Sequence, residues 1–333
     1  MSHDAPRRRE LTIEQYCEGI LRSDVTTIAR ALTLVESNRD VDERFAEELL
    51  NRLLPHTGGA MRVGITGAPG VGKSTFIESL GMLLVEQGKR VAVLAVDPSS
   101  GVSGGSILAD KTRMTRLASQ ASAFVRPSPS AGTLGGIARK TQECSLVCEA
   151  AGFDVILIET VGVGQSETVV AGMTDLFLAL ILPAGGDELQ GMKRGLLELV
   201  DVIAVNKADG PLLASAELTA RQYASAMEAI RGVDSAPTVL SCSALNDEGV
   251  GLVWDALCQK FEERRTDGAL RQQRGQQRLK WLWSVVDERL LDAIGRHPAV
   301  QSIRAELENG VLNGTVTPEA AARKILEAFG VHE

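Results

Sequence analysis

The 333-residue sequence predicts an α/β fold, a mainly parallel sheet flanked by helices, with helical extensions before and after it. Three observations carry this. Seven short runs are rich in Val, Ile and Leu at consecutive positions, as strands buried on both faces must be. Helix-length stretches separate most of them, the alternation that builds a parallel sheet covered on both sides. A glycine-rich segment, Gly67-Ala-Pro-Gly-Val-Gly72-Lys73-Ser74, sits where the first run passes into a helix.

Taken in order, residues 1–58 read as a helical N-terminal segment. The stretch "ERFAEELLNRLL" sets Phe45, Leu49, Leu50, Leu53 and Leu54 on one stripe, and "VTTIARALTLVES" before it is also helix-like. "HTGG" breaks that pattern. Residues 59–263 hold the strand runs: "MRVGIT", "RVAVLAVD", "SAFVRP", "DVILIET", "DLFLALIL", "DVIAVNK" and "PTVLSCSA". Loops that carry function belong at the C-terminal ends of such strands. Residues 264–333 are helical again. "LKWLWSVVDERLL" lines up Leu279, Leu282, Val286 and Leu290 with Trp283 beside them, and such a face must pack on the sheet domain or on a second chain. "TPEAAARKILEAF" opens with Thr317 as cap and Pro318 at the first helical position, and its stripe is Ala321, Ile325 and Phe329.

Composition narrows the function. A net charge of −8 speaks against bulk nucleic-acid or anionic-membrane binding. The Arg run from Pro6 to Glu10 reads as a solvated tail. The first thirty residues lack an apolar signal-peptide core, and the longest apolar run, Leu176 to Pro183, fits a buried strand. Cys17, Cys144, Cys148, Cys242 and Cys258 are scattered and odd in number, which points to reduced thiols and the cytoplasm. Cys144 and Cys148 share a helix face with no further Cys or His nearby, so they read as core packing. The four histidines form no cluster.

The chemistry begins at G-x-x-x-x-G-K-[ST]. Gly67, Gly70 and Gly72 let backbone amides curl around phosphate, and the helix that opens at Lys73, Ser74 and Thr75 adds positive potential. Lys73 is expected to bridge the β- and γ-phosphates, and the Ser74 hydroxyl to bind Mg²⁺. The base follows from "VIAVNKAD". Asp209 can accept from N1–H and the 2-amino group of guanine, whereas adenine would leave the carboxylate desolvated and unpaired. Lys207 is expected to pack on the base plane and Asn206 to brace the loop. "SCSAL", with Ser243 and Ala244, resembles a loop that meets guanine O6 with backbone amides. The ligand is therefore GTP.

Two strand ends carry acids, Asp97 and Glu159, suited to Mg²⁺ or its water. The second reads Glu159-Thr-Val-Gly162, with the Gly162 amide able to sense the γ-phosphate. Glu159 either positions the attacking water or binds a metal-bound water, and the sequence does not choose. Asp110 lies in a Gly/Ser-rich stretch as a further magnesium contact. "PAGGDELQGMKRG" joins glycine hinges to Asp187, Glu188, Gln190, Lys193 and Arg194, a composition suited to order–disorder switching. No arginine finger is evident, so unaided hydrolysis should be slow.

"GAPGVGKST", "VAVLAVDPSS", "GGSILADKTRM", "ETVGVGQSE", "GGDELQGMKRG" and "NKADG" stand in one order, and "HPAVQSIRAELENGVLNGTVTPEAAARKIL" follows near the end. This set resembles the methylmalonyl-CoA mutase-associated GTPases (MeaB, ArgK and MMAA), P-loop proteins of the SIMIBI class, over nearly the whole chain. The resemblance implies a GTP-hydrolysing chaperone that gates adenosylcobalamin loading and protects or reactivates an acyl-CoA mutase, alongside an adenosyltransferase. It implies a phosphate–magnesium site of Lys73, Ser74, Asp97, Asp110 and Glu159, a third switch after Pro183 with Lys193 in activated hydrolysis, and C-terminal helices as a homodimerisation arm. Two other readings are weaker. A nickel-type insertase needs a His- or Cys-rich store, and a small-molecule kinase usually favours ATP, which Asp209 opposes.

Overall fold

A computed structural model describes residues 11–96, 114–127, 134–160, 166–183 and 194–331. The expected site residues Asp97, Asp110, Gly162 and Lys193 lie outside them, as do Asp187, Glu188 and Gln190. The described chain divides into two compact units, residues 1–275 and 276–333.

In the first unit three helices come first, α1 (Ile13–Leu21), α2 (Val25–Glu36) and α3 (Asp40–Leu53). A reciprocal capping box between Thr12 and Gln15 starts α1, and the Asp24 carboxylate caps α2 at Thr27 N. Leu49 and Leu53 are buried as expected, but Leu54 is 51% exposed. The α-helix stops at Leu53, and a 3-10 turn over Leu54–His56 contains Pro55, which has no N–H to continue the ladder.

The sheet follows: β1 (Met61–Gly67), α4 (Lys73–Glu86), β2 (Val91–Val96), α5 (Thr115–Ala118), β3 (Ala123–Pro127), α6 (Leu134–Ala150), β4 (Val155–Thr160), α7 (Ser166–Ala171), β5 (Leu176–Ile181), α8 (Arg194–Leu197), β6 (Val202–Val205), α9 (Leu213–Arg231), β7 (Thr238–Ser241) and α10 (Val250–Thr266). All seven expected runs are strands. Every pairing is parallel, in the order β3-β2-β4-β1-β5-β6-β7. β1 is central, with β4, β2 and β3 on one side and β5, β6 and β7 on the other. That is the switch point of an open α/β sheet, where ligands sit beyond the carboxyl ends of the strands.

Side chains alternate across this sheet into two cores. On β4, Ile156 and Ile158 join the core that holds Ile28, Leu32, Leu49 and Leu53 of the N-terminal helices. Val155 and Leu157 join the other, with Phe76, Ile77 and Leu80 of α4 and Val253, Trp254 and Leu257 of α10. The N-terminal helices are therefore one layer of the sheet domain. Their outer contacts are polar: the ion pairs Arg139 to Glu43 at 3.1 Å and Arg126 to Glu36, and a hydrogen bond from Lys140 Nζ to the Ser37 carbonyl at 2.8 Å. Cys144 and Cys148 are buried in α6, and burial pushes the Cys148 thiol up to about 12, so both pack as neutral thiols.

At the opposite end from the phosphate loop, a buried carboxylate ties the domain together. Asp175 accepts from Arg274 Nε at 2.8 Å and Nη2 at 2.7 Å, and from Arg62 N at 2.8 Å. Arg274 stands near the start of α11 (Ala269–Arg296) and also donates to Gly58 O and Ala60 O, each at 2.6 Å. Removing Arg274 would take the closer of two guanidinium partners from the buried Asp175 and leave only Arg62 Nη2, at 3.4 Å. Arg274→Ala is expected to lower stability by about 3 kcal/mol, read as a lower midpoint in urea unfolding.

The second unit contains most of α11, then α12 (Pro298–Leu312) and α13 (Pro318–Phe329). Thr317 caps α13 through Ala320 N, with Pro318 at the first turn. Along α11 the apolar stripe stays open: Leu282 is 55% and Trp283 60% exposed.

Candidate nucleotide site

The phosphate loop leaves β1 at Gly67 and enters α4 at Lys73. It is wedged between neighbours that leave no room for a side chain at its two ends. A Cβ on Gly67 would lie 2.5 Å from Leu180 O, and one on Gly72, where φ is +94°, would lie 2.7 Å from Asn206 Nδ2. Gly70 lies between them in the loop, and Thr75 is exposed in the first turn of α4. The Lys73 ammonium is held over the strand end, donating to Gly67 O at 2.8 Å and Ala68 O at 3.3 Å. Burial holds its pKa below the usual lysine value, and the charges of Glu159 and Glu167 offset this only in part.

Glu159, next to last in β4, pairs across the sheet with Ile65 and Ala95. Its Oε1 accepts from Ser74 Oγ at 3.2 Å. Two hard oxygens, one from the helix start and one from the strand end, thus converge beside Lys73. That donor set suits Mg²⁺, which takes oxygen ligands.

Asn206 joins the two halves of the site. Its Nδ2 donates to Val71 O at 2.8 Å, in the phosphate loop, and its Oδ1 accepts from Ala244 N at 3.0 Å, in the loop after β7. Lys207 follows in the left-handed region at φ +61°, an uncommon conformation for a lysine. Ala208 N donates to Cys242 O at 3.0 Å, which locks the "NKAD" segment onto β7. Asp209 Oδ2 accepts a short bond of 2.5 Å from Ser243 Oγ. Ser243 is itself fixed by paired backbone bonds with Glu248, at 2.8 and 3.0 Å.

The expected contact of the "SCSAL" backbone amides with the base is not tested by a structure without nucleotide. In the structure the Ser243 side chain orients Asp209, and the Ala244 amide is engaged by Asn206. The residue type was visible, whereas the contact depends on how two distant loops meet. Two buried polar residues that sequence reasoning did not single out stand beside these strand ends, Thr66, whose Oγ1 donates to Glu167 Oε1 at 3.4 Å, and Glu167 itself. Thr66 stands one residue before Gly67 and Glu167 ends "ETVGVGQSE", but only the register of β1 against β4 brings them together.

Among the described residues no helix is long and apolar enough to cross a membrane, and no group of three or more His, Cys, Asp or Glu side chains is placed to hold a metal ion.

Residues 28–299 match the family model described as methylmalonyl Co-A mutase-associated GTPase MeaB. A relative from Caulobacter vibrioides is 52% identical over 323 residues, covering 96% of this chain and 99% of its own. The mouse mitochondrial methylmalonic aciduria type A homolog is 42% identical over 95% of this chain and 79% of its own. Among solved structures, one described as the LAO/AO transport system kinase superposes with a TM-score of 0.76 at 35% identity, covering 98% of this chain and 100% of that one.

Proposed function

We propose that this chain, which belongs to the methylmalonyl Co-A mutase-associated GTPase family, is the nucleotide-driven chaperone of an adenosylcobalamin-dependent acyl-CoA mutase, methylmalonyl-CoA mutase or a close relative. The chain is a P-loop GTPase, so it binds GTP and hydrolyses it to GDP and phosphate. The observation that carries the mutase reading is the family match, which runs from the N-terminal helices through the sheet to α12. In this reading the chain gates adenosylcobalamin loading and protects or reactivates the mutase, in a cycle shared with an adenosyltransferase.

The roles assigned to residues follow from their chemistry. Gly67, Gly70 and Gly72 bring amides to the phosphates, with Thr75 completing the first turn of the helix behind them. Lys73 exchanges its carbonyl partners for the β- and γ-phosphates. Ser74 and Glu159 would hold Mg²⁺, with Asp97 and Asp110 as further oxygen donors. The 3.2 Å contact between Ser74 Oγ and Glu159 Oε1 favours a metal-side role for Glu159 over a water-positioning one. The ion would neutralise charge that develops on the phosphate oxygens. Gly162 senses the γ-phosphate, and Lys193 serves activated hydrolysis.

On the base side, Asp209 takes guanine N1–H and the 2-amino group, and Ser243 keeps the carboxylate aimed. Lys207 covers the base plane and Asn206 couples base to phosphate loop. The Ala244 amide meets guanine O6 by sharing its proton with Asn206 Oδ1 or leaving it.

The domain assignment is an N-terminal helical segment over 1–58, a GTPase domain over 59–263 and a C-terminal arm over 264–333. The arm makes a homodimer, because Leu279, Leu282, Trp283, Val286 and Leu290 form an exposed apolar stripe that a lone chain leaves in water. Five free cysteines suit a cytoplasmic setting.

Size-exclusion chromatography with purified acyl-CoA mutases tests the partnership. One mutase should co-elute with the chain, and the complex should differ in stability between GDP and a non-hydrolysable GTP analogue. Failure of methylmalonyl-, ethylmalonyl-, isobutyryl- and 2-hydroxyisobutyryl-CoA mutases all to bind would contradict it.

A further inference from the structure

We infer that Thr66 and Glu167 are a positioning pair for GTP hydrolysis, a buried hydroxyl and carboxylate that fix the two strand ends bearing the phosphate loop and Glu159. This rests on the reading of Lys73 and Glu159 as the phosphate–magnesium side of the site.

The register places the pair. Ile65 is opposite Glu159, so the next residues, Thr66 and Thr160, are opposite each other on the other face of the sheet. Thr160 Oγ1 donates to Thr66 Oγ1 at 3.0 Å, and Thr66 Oγ1 donates to Glu167 Oε1 at 3.4 Å. All three residues are buried. Neighbouring side chains on a strand point to opposite faces. Holding Thr160 on the back of β4 therefore holds Glu159 on the front, where Ser74 meets it. Thr66 does the same for β1 one residue before Gly67.

One hydroxyl thus joins three pieces of chain. It ties the strand that feeds the phosphate loop to the last residue of β4, and ties both to the first turn of α7. The 3.4 Å bond is long, as catalytic contacts often are before substrate binds.

A purely structural role is a poor account of this cluster. A buried carboxylate costs desolvation, and an apolar side chain of similar volume is often neutral or stabilising in such a place. Placement of reacting groups is where so costly a device has a return, since small misplacements near the reacting atoms lower rates steeply.

The test uses the full chain and single-site variants. Thr66→Val keeps shape and loses the hydroxyl, Glu167→Gln keeps shape and loses the charge, and Thr66→Ser restores the hydroxyl. Thr66→Val should lower kcat for GTP by about tenfold, the worth of one buried hydrogen bond, and Glu167→Gln, which keeps an oxygen acceptor for Thr66 but loses the charge that strengthens the bond, by about threefold. KM and GDP affinity should stay within about threefold. Thr66→Ser should return kcat to within about twofold of the parent. GDP binding counts folded sites, so any loss of folded protein is removed from kcat.

Unchanged kcat in Thr66→Val and Glu167→Gln, with Lys73→Ala inactive beside them, overturns the pair and leaves the site intact. A fall in thermal stability with no fall in kcat per folded site assigns both residues to structure and overturns it equally. Hydrolysis that survives in Lys73→Ala instead removes the reading on which the pair rests.

Discussion

Asp209→Asn is expected to exchange the base the site accepts. The carboxylate, held by Ser243 at 2.5 Å, would otherwise take two donors from guanine. An amide keeps one acceptor for N1–H and presents a donor to the 2-amino group. Two charge-assisted bonds are lost or reversed, so GTP affinity should fall by about 10²- to 10⁴-fold. Xanthosine triphosphate has an acceptor where guanine has its amino group, and it should bind the variant more tightly than GTP does. Competition against a fluorescent nucleotide reads both affinities. Retained preference for guanine would show that another group reads the base.

Lys73→Ala should abolish GTP hydrolysis, with kcat falling by about 10³-fold, at the upper end of what one preorganised charge supplies to a transition state. The fold should survive, because the Lys73 ammonium contacts two loop carbonyls and contributes nothing to either apolar core. Steady-state phosphate release and a thermal melt separate the two effects. A collapsed melting transition would make the lysine a structural element of the loop.

The sheet was legible because burial on both faces leaves a run of Val, Ile and Leu that few other environments tolerate. All seven runs became strands, and β1 led into the glycine loop as expected. Leu54 was misread because helical periodicity continues through it, while Pro55 ends the ladder one residue earlier. At the site, Lys73, Ser74 and Glu159 could be named from spacing alone, since one strand–loop–helix unit and one neighbouring strand bring them together. The Ser243–Asp209 and Asn206–Ala244 bonds could not, because each joins residues more than thirty positions apart. Thr66, Thr160 and Glu167 are the extreme case. Nothing in "GITG" or "ETVGVGQSE" announces that these side chains meet behind the sheet, since that depends on the register of β1 against β4. The open stripe on α11 was visible as a pattern, but only the structure gives its exposure.

In the proposed function, GTP turnover on this chain is timed by an acyl-CoA mutase. Phosphate release from GTP, measured with and without a saturating adenosylcobalamin-dependent mutase, tests it most directly. Turnover should be slow for the chain alone and should rise by at least about tenfold in the complex, as when a partner completes the site of a slow GTPase. A rate that stays the same in a demonstrated complex with the mutase would contradict it.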